Sequence, residues 1–581
     1  MQRHHASSRR QSAGENPQLT QDAARLCCGQ AQSTKLYIGI SQALADSIDI
    51  AVTLTTKSLQ AEPHDMITRR QAIAASLLPL ASWQPASGQA TAPLSDQERA
   101  LHALNRLGYG PRPGDAAAIA SQGAGPWLEQ FLARQMEPST LALPQALDQR
   151  LQGFATTQLS QAALIGRYRE ATQANQAAQR AAGPNSTDSD TAAALAKARR
   201  ELVRPVLVEA SSERLLRAMD SPAQLEELLV EFWFNHFNVF AGKGQVAVLV
   251  GDYERQAIRP HVFGRFRNML SATARHPAML IYLDNVQSVA PGYQAPGRQI
   301  NPNAARLTGL NENYARELME LHTLGVDGGY SQRDVTELAR MLTGWTINYR
   351  AALSGSQGDL FVFDPGRHDR GSKEWLGQKV ESSGKSEGEM ALDLLATHPA
   401  TARHIAFKLA QAFVADQPPP ALVQRMAARF TATSGDLKAV MQTMISSDEF
   451  WRRESFGSKF KTPYRYLLST LRALDVSDVQ DIPPLMQVLA QAGMPLYGAQ
   501  TPDGYKNVEA AWMNPEALAQ RVQFSAKLAE RRASRAASSD SDTAALLGLP
   551  IFTAATRASV AQEPAQLRTA LLLGSPDFMH Y

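Results

Sequence analysis

The stretch from Asn311 to Trp345, NENYARELMELHTLGVDGGYSQRDVTELARMLTGW, constrains the fold more than any other part of the chain. Apolar residues recur three and four positions apart on either side of a glycine turn, the mark of two amphipathic helices folded back on each other. On a helix from Asn311 to Leu324 each residue advances by about 100°. Tyr314, Ala315, Leu318, Met319 and Leu321 then share one face, with His322 in its middle. Gly325 suits the position after a helix end, and Asp327-Gly328-Gly329 a turn needing positive φ. Ser331 caps the second helix, whose Val335, Leu338, Leu342 and Trp345 face the core.

Most of the chain carries the same periodicity, so the expected class is mainly α: one large multi-helical domain. Ser95-Asp96-Gln97-Glu98 reads as a capping box ahead of Arg99–Leu107. Gly108-Tyr109-Gly110-Pro111 breaks the chain, and Asp115 is placed to cap the next helix. Gln145 to Ala182 and Ala192 to Met219 suggest a long helical hairpin, about 145–219, with Gly183–Asp190 as its polar tip. Ser221-Pro222 starts a helix with Pro in its first turn and carries Leu225, Leu228, Leu229, Phe232 and Trp233. A small β-hairpin insertion is expected near 361–380, around a Pro-Gly turn. Helices resume over Glu387–Ala415, Ala421–Phe430 and Asp436–Ser446. Ala533–Asp542, rich in Ser, Ala and Asp, reads as a flexible loop opening a 531–581 tail of short helices, so the main domain runs over 93–530.

An export signal is the second strong feature. Thr68-Arg69-Arg70-Gln71, the uncharged run Ala72–Ser82 and Ala90-Thr91-Ala92 follow the order of an Arg-rich region, an apolar region and a small-residue cleavage site. The pattern is twin-arginine-like, with a start at Met66, a signal over 66–92 and residues 1–65 as an upstream or disordered extension. A periplasmic or extracellular location follows. Both cysteines, Cys27 and Cys28, fall before the signal, so the expected mature chain has neither disulfides nor Cys-based metal sites. Residues 1–92 hold eight Lys/Arg and six Asp/Glu, and removing them from the totals of 58 and 55 leaves a balance of +1. That balance supplies no basic face for nucleic acid, and no further apolar run approaches the roughly 18 residues of a membrane span.

Several polar residues sit where chemistry could be done. Glu312, Arg316 and Glu320 fall at i, i+4, i+8: either salt bridges on a solvated face or a carboxylate pair that binds a ligand. Glu317 flanks the apolar face and suits a partly buried acid with a raised pKa. His322 is either a satisfied core histidine or a catalytic one. Asn235 and His236 lie in the aromatic run FWFNHFN and need partners, since an unpaired buried polar group costs about 1–3 kcal/mol. His368 and Asp369 stand in a polar loop beside Arg367, Arg370 and Lys373. The Asp-Gly-Gly turn is not a calcium loop. With Gly329 sixth, position twelve would be Val335, and with Gly328 sixth, position one would be Thr323. HExxH, GxSxG and GxxxxGK[ST] are missing from the sequence, as is a GxGxxG after a strand, and Ala241-Gly242-Lys243-Gly244 lacks the spacing of a phosphate loop. No metal site and no cofactor are assigned.

FWFNHFN (Phe232–Asn238), the Asn311–Trp345 segment and FDPGRHDRGSKEWLG (Phe363–Gly377) resemble the bacterial family catalogued as domain of unknown function 1800. Leu104–Pro111, Asp416–Pro419 and Gly435–Leu437 also look like its segments, and the resemblance spans about Ser95 to Ala529. It implies relatives and an exported setting but almost no chemistry. It also implies a partner, a second exported protein encoded nearby. Two functions follow as expectations. One is an extracytoplasmic hydrolase in which His236, Glu317, His322 and His368 act as catalytic residues, with Asn235, Glu312, Arg316 and Asp369 binding the ligand. The other is a noncatalytic binding or assembly protein. Packing Phe232–Asn238 against Asn311–Trp345 would satisfy Asn235 and His236 with Glu317 or His322 and put His368 on the rim.

Overall fold

Ser95 accepts a hydrogen bond from the Glu98 amide while Glu98 reaches back to the Ser95 amide, and the first helix runs Asp96–Arg106 from this box. A computed structural model describes residues 92–182, 193, 197–294, 309–354, 358–476, 479–534, 538–549 and 551–581. The signal except its last residue (Ala92), the 1–65 extension, the two cysteines and the Gly183–Asp190 tip lie outside these residues. All described residues belong to one unit, 86–581. Among them no helix is long and apolar enough to cross a membrane.

The architecture is mainly helical, with two small antiparallel hairpins. The first helix buries Ala100, Ala103 and Leu104 against Trp127 and Leu128 of the helix Ala124–Gln135. Asp115 does not cap the next helix, which starts at Pro113. Its carboxylate sits one turn in and accepts the Arg112 amide at 2.7 Å. The long first arm is in pieces: a helix Gln145–Gln152, a 3-10 turn Ala155–Gln158 and a helix Gln161–Ala182. Ser221-Pro222 precede the helix Gln224–His236, in which proline therefore has no place.

The Asn311–Leu324 helix is shorter than its apolar pattern, covering Asn313–Glu320. Leu321 and His322 amides both bond to the Glu317 carbonyl, and the Leu324 amide bonds to Met319, so the end unwinds into a wide turn. Gly325 closes it at φ 84°. Ser331 caps Gln332–Met341 in a capping box with Asp334, and Val335, Leu338 and Leu342 are buried on its core side. Trp345 leaves the helix and opens β1 (Trp345–Ile347), which pairs with β2 (Phe361–Phe363). The expected 361–380 hairpin is thus two hairpins. β2 pairs backwards, and β3 (Lys373–Trp375) with β4 (Gln378–Val380) forms the second around Leu376-Gly377.

The helix expected over 387–415 breaks at Pro399, where His398 caps a new helix, giving Lys385–Thr397 and Pro399–Phe413. Pro463–Ala473 is buried along its whole length. It carries two arginines that end on backbone carbonyls: Arg465 on Asn105 and Gly108, at 2.6 and 3.1 Å, and Arg472 on Gly110 and Met219, at 3.0 and 2.7 Å. These bonds explain the Gly108–Gly110 break. Gly110 has φ 99°, and a Cβ there would sit 3.3 Å from the Ser469 hydroxyl. The Ala533–Asp542 segment is helical from Ser538, where the helix Ser538–Leu547 begins, and Arg532 binds Asp542 through two bonds of 2.7 and 2.8 Å. The tail packs Ala565–Gly574 on Pro515–Ala533 and pairs the Tyr581 main chain with Lys459.

Candidate functional site

The helix Gln224–His236 is apolar through Leu225, Leu228, Leu229 and Trp233, all buried, and delivers Asn235 and His236 at its last turn. Asn235 clamps a distant loop. Its amide donates to the Tyr505 carbonyl at 2.8 Å and its carbonyl accepts the Tyr505 amide at 2.7 Å. The clamp requires Gly504, at φ 66°, since a Cβ would stand 2.5 Å from the Asn235 oxygen. Asn238 makes two further bonds to the same loop, to Ala499 and Thr501 carbonyls.

His236 Nε2 lies 3.1 Å from the main-chain oxygen of His322. A carbonyl only accepts, so Nε2 carries the proton and Nδ1 keeps the lone pair of the neutral ring. Around it stand the rings of Phe237 at 4.7 Å, His404 at 6.0 Å and His322 at 6.4 Å. Burial, then the nearby His404 and Lys408, push the His236 pKa well below its ordinary value. Burial and His404 lower that of His322 to about 3, and burial and Lys408 lower that of His404 to about 4. All three are neutral imidazoles at pH 7. The His322 Nε2 is buried and has no hydrogen-bond partner among the described residues.

A pocket of about 90 Å³ opens beside His236, between its helix, the Pro399–Phe413 helix, the start of Pro463–Ala473 and the 494–507 loop. Its walls are aromatic, with Phe232, Phe234, Tyr464, Tyr497 and Tyr505 among them. Four basic side chains, Arg214, Lys408, Arg465 and Lys506, line it against one acidic side chain, Glu231. Three of the four are engaged. Arg214 pairs with Glu254 at 3.2 Å under the rings of Phe234 and Tyr497, Arg465 serves the carbonyls named above, and Lys506 pairs with Asp503 at 2.5 Å. Glu231 accepts the Tyr109 hydroxyl at 2.8 Å. Lys408 is half-buried and has neither an ion pair nor a hydrogen bond among the described residues. Burial and Lys506 lower its pKa, with Asp503 opposing.

The other sequence candidates lie elsewhere. Glu317 is half-buried and outside the pocket lining; burial first, then the neighbouring Glu320, push its carboxyl up to about 7, while Arg316 opposes. Glu312 accepts from Gln332 and Thr336, both at 2.7 Å, and Arg316 lies 3.6 Å from Glu312 and 2.7 Å from Gln332. That trio ties the Asn313–Glu320 helix to Gln332–Met341 at the surface.

His368 belongs to a separate buried network. Its Nε2 meets Glu387 at 2.9 Å and its Nδ1 meets the Thr343 carbonyl at 2.9 Å. Asp369 takes Arg340 through bonds of 2.8 and 3.1 Å. Thus the Phe232 and Asn311 segments meet through His236 and His322, but Asn235 turns to Tyr505, Glu317 bonds to neither, and His368 is not on the rim. His404 and Lys408 escaped the sequence reading. Their signal is two basic residues four apart on a helix whose Ile405, Ala406, Leu409 and Ala410 are buried. Among the described residues no three His, Cys, Asp or Glu side chains are grouped so as to hold a metal ion.

No curated protein and no solved structure matches the chain. The model of the family described as "Protein of unknown function (DUF1800)" matches residues 102–580, so it takes in the last helices that the sequence motifs had left outside. The chain belongs to the DUF1800 family.

Proposed function

We propose that this is an exported, noncatalytic binding protein whose pocket beside His236 takes a small anionic ligand. Lys408 carries the reading: a half-buried ammonium with no direct ion pair among the described residues, its acidic neighbour Asp503 being paired with Lys506, in a pocket where basic groups outnumber acidic ones. A charged donor in such a setting favours a carboxylate, phosphate or sulfate oxygen. The His236 lone pair supplies an acceptor for a ligand hydroxyl, and the aromatic walls cover apolar carbon. A water takes roughly 10–15 Å³ on this measure, so the pocket suits a ligand of about six to nine heavy atoms rather than a segment of a partner protein. A hydrolase would need His236, Glu317, His322 and His368 together, and only His236 lines the pocket.

The test is calorimetric titration and thermal shift with inorganic phosphate, sulfate and small mono- and dicarboxylates. We expect one of these to bind, and Lys408→Met to weaken it by roughly 10- to 150-fold, the loss of about 1.5–3 kcal/mol for a hydrogen bond to a charged group. Its melting temperature without ligand should stay close to that of the parent. Binding by none of these anions, or equal affinity in the variant, would refute the assignment. Export is supported by the Thr68–Ala92 pattern alone. N-terminal sequencing of the exported protein should find a start near Pro93, and residues 66–92 still attached would count against it.

A further inference from the structure

Away from this pocket, the helix Pro515–Ala533 buries an arginine with nothing to bind. Arg521 is 2% exposed, and its Nε, Nη1 and Nη2 are all buried without a hydrogen-bond partner among the described residues. A guanidinium keeps its charge in a protein interior and presents five donors. Two rings face it, Phe460 at 4.4 Å and Tyr466 at 5.3 Å. Ring faces attract a cation but accept no conventional hydrogen bond in the plane of the fork.

A second buried basic side chain shares this aromatic cluster: Lys461 lies over Phe578, whose ring is 6.0 Å from that of Tyr466. Lys461 is 2% exposed, donates one hydrogen bond, to Ser469 at 2.7 Å, and lies 3.8 Å from the Phe578 ring. Burial, then Arg465 and Arg521, hold its ammonium well below the ordinary lysine range. Neither Arg521 nor Lys461 has a carboxylate within ion-pair distance among the described residues. Leaving buried charge uncompensated costs several kcal/mol per ion, far more than ring faces return.

We infer that Arg521 and Lys461 form a buried binding site for a single halide ion, chloride under ordinary conditions. One negative charge compensates the guanidinium, and a spherical acceptor can take donors from both side chains at once. A weakly hydrated ion suits aromatic walls better than a divalent oxyanion, whose remaining oxygens would need donors of their own. The site also has a structural consequence. The Lys461 amide bonds to the Met579 carbonyl at 2.8 Å, so the ion would fasten the 576–581 segment against 459–461.

Crystals of the full chain grown in bromide should show an anomalous peak within hydrogen-bonding reach of Arg521 and Lys461. In solution, unfolding should be compared in sodium chloride and sodium gluconate at equal ionic strength. The melting temperature should rise in chloride by about 1 °C for each tenfold above the dissociation constant, given the size of the domain. Arg521→Met should abolish that difference, and Lys461→Met serves if the first variant does not fold. No bromide peak, a water in its place, or an equal chloride effect in the parent and both variants would overturn the site.

Discussion

Lowering the pH from 7 to 5 should cost the folded state at least about 4 kcal/mol, with the loss beginning near pH 6.5. His102, His236, His322 and His404 are held neutral, chiefly by burial, and their folded pKa values lie below the unfolded value of about 6.5. Between those limits the unfolded chain binds protons that the native protein does not, so stability falls as the pH falls. His322 and His404 each contribute about 2 kcal/mol of loss by pH 5, His102 and His236 add to it in the same direction, and the loss continues until the folded pKa is reached, about 3 for His322 and about 4 for His404. Glu317 works the other way. Its folded pKa of about 7 exceeds the unfolded 4.5, so it gains a proton on folding and adds stability as the pH drops toward 4.5. It is half-exposed, and solvent screening keeps that gain small. Urea denaturation at pH 7, 6 and 5 reads the slope directly. His322→Leu should flatten it by about one proton, since the substitution removes a buried titrating ring with an unpaired nitrogen. A stability independent of pH over this range would show that these histidines are not buried as described.

Replacing Glu387 by Ala should destabilise the protein by about 3–5 kcal/mol without affecting ligand binding. Its carboxylate is wholly buried between Lys373 Nζ at 2.7 Å and His368 Nε2 at 2.9 Å, and also accepts the Ser383 and Gly384 amides. The Lys373 side chain is equally buried, and once the carboxylate is gone it keeps the Asp369 and Gly371 carbonyls and, at 4.0 Å, the Asp369 carboxylate that Arg340 already holds. Removing one member of a buried ion pair strands the other, the costly case, whereas removing both is far milder. The pair Glu387→Leu with Lys373→Met should therefore recover much of the loss. Chemical denaturation measures the stability and calorimetry the binding. A Glu387→Ala protein of normal stability that no longer bound its ligand would return His368 to the functional site.

The elements whose rules are local were legible in the sequence. The Ser95 and Ser331 boxes are set within four residues, and the buried face of Gln332–Met341 follows from helical spacing. Hydrophobic pattern overran the Asn313–Glu320 helix because His322 and Leu324 stay buried, and Leu321 half-buried, after the helix unwinds, and burial is all that such a pattern reports. Three-residue strands such as β1 and β2 are too short to show alternation.

The candidate site was half visible for the same reason. Sequence alone determined that this is a helical protein, that His236 and His322 lie on faces that must be buried, and that Asn235 needs partners. Only the tertiary structure decided who those partners are. Asn235 closes on the Tyr505 backbone and His236 on the His322 carbonyl, and a peptide group is the same at every residue, so no side-chain pattern marks it. Lys408 became the pocket's unpaired cation because folding set its helix beside one that ends 172 positions earlier, at His236, and gave the neighbouring Asp503 to Lys506. Periodicity states which residues leave water; which of them meet is fixed by the packing of whole helices.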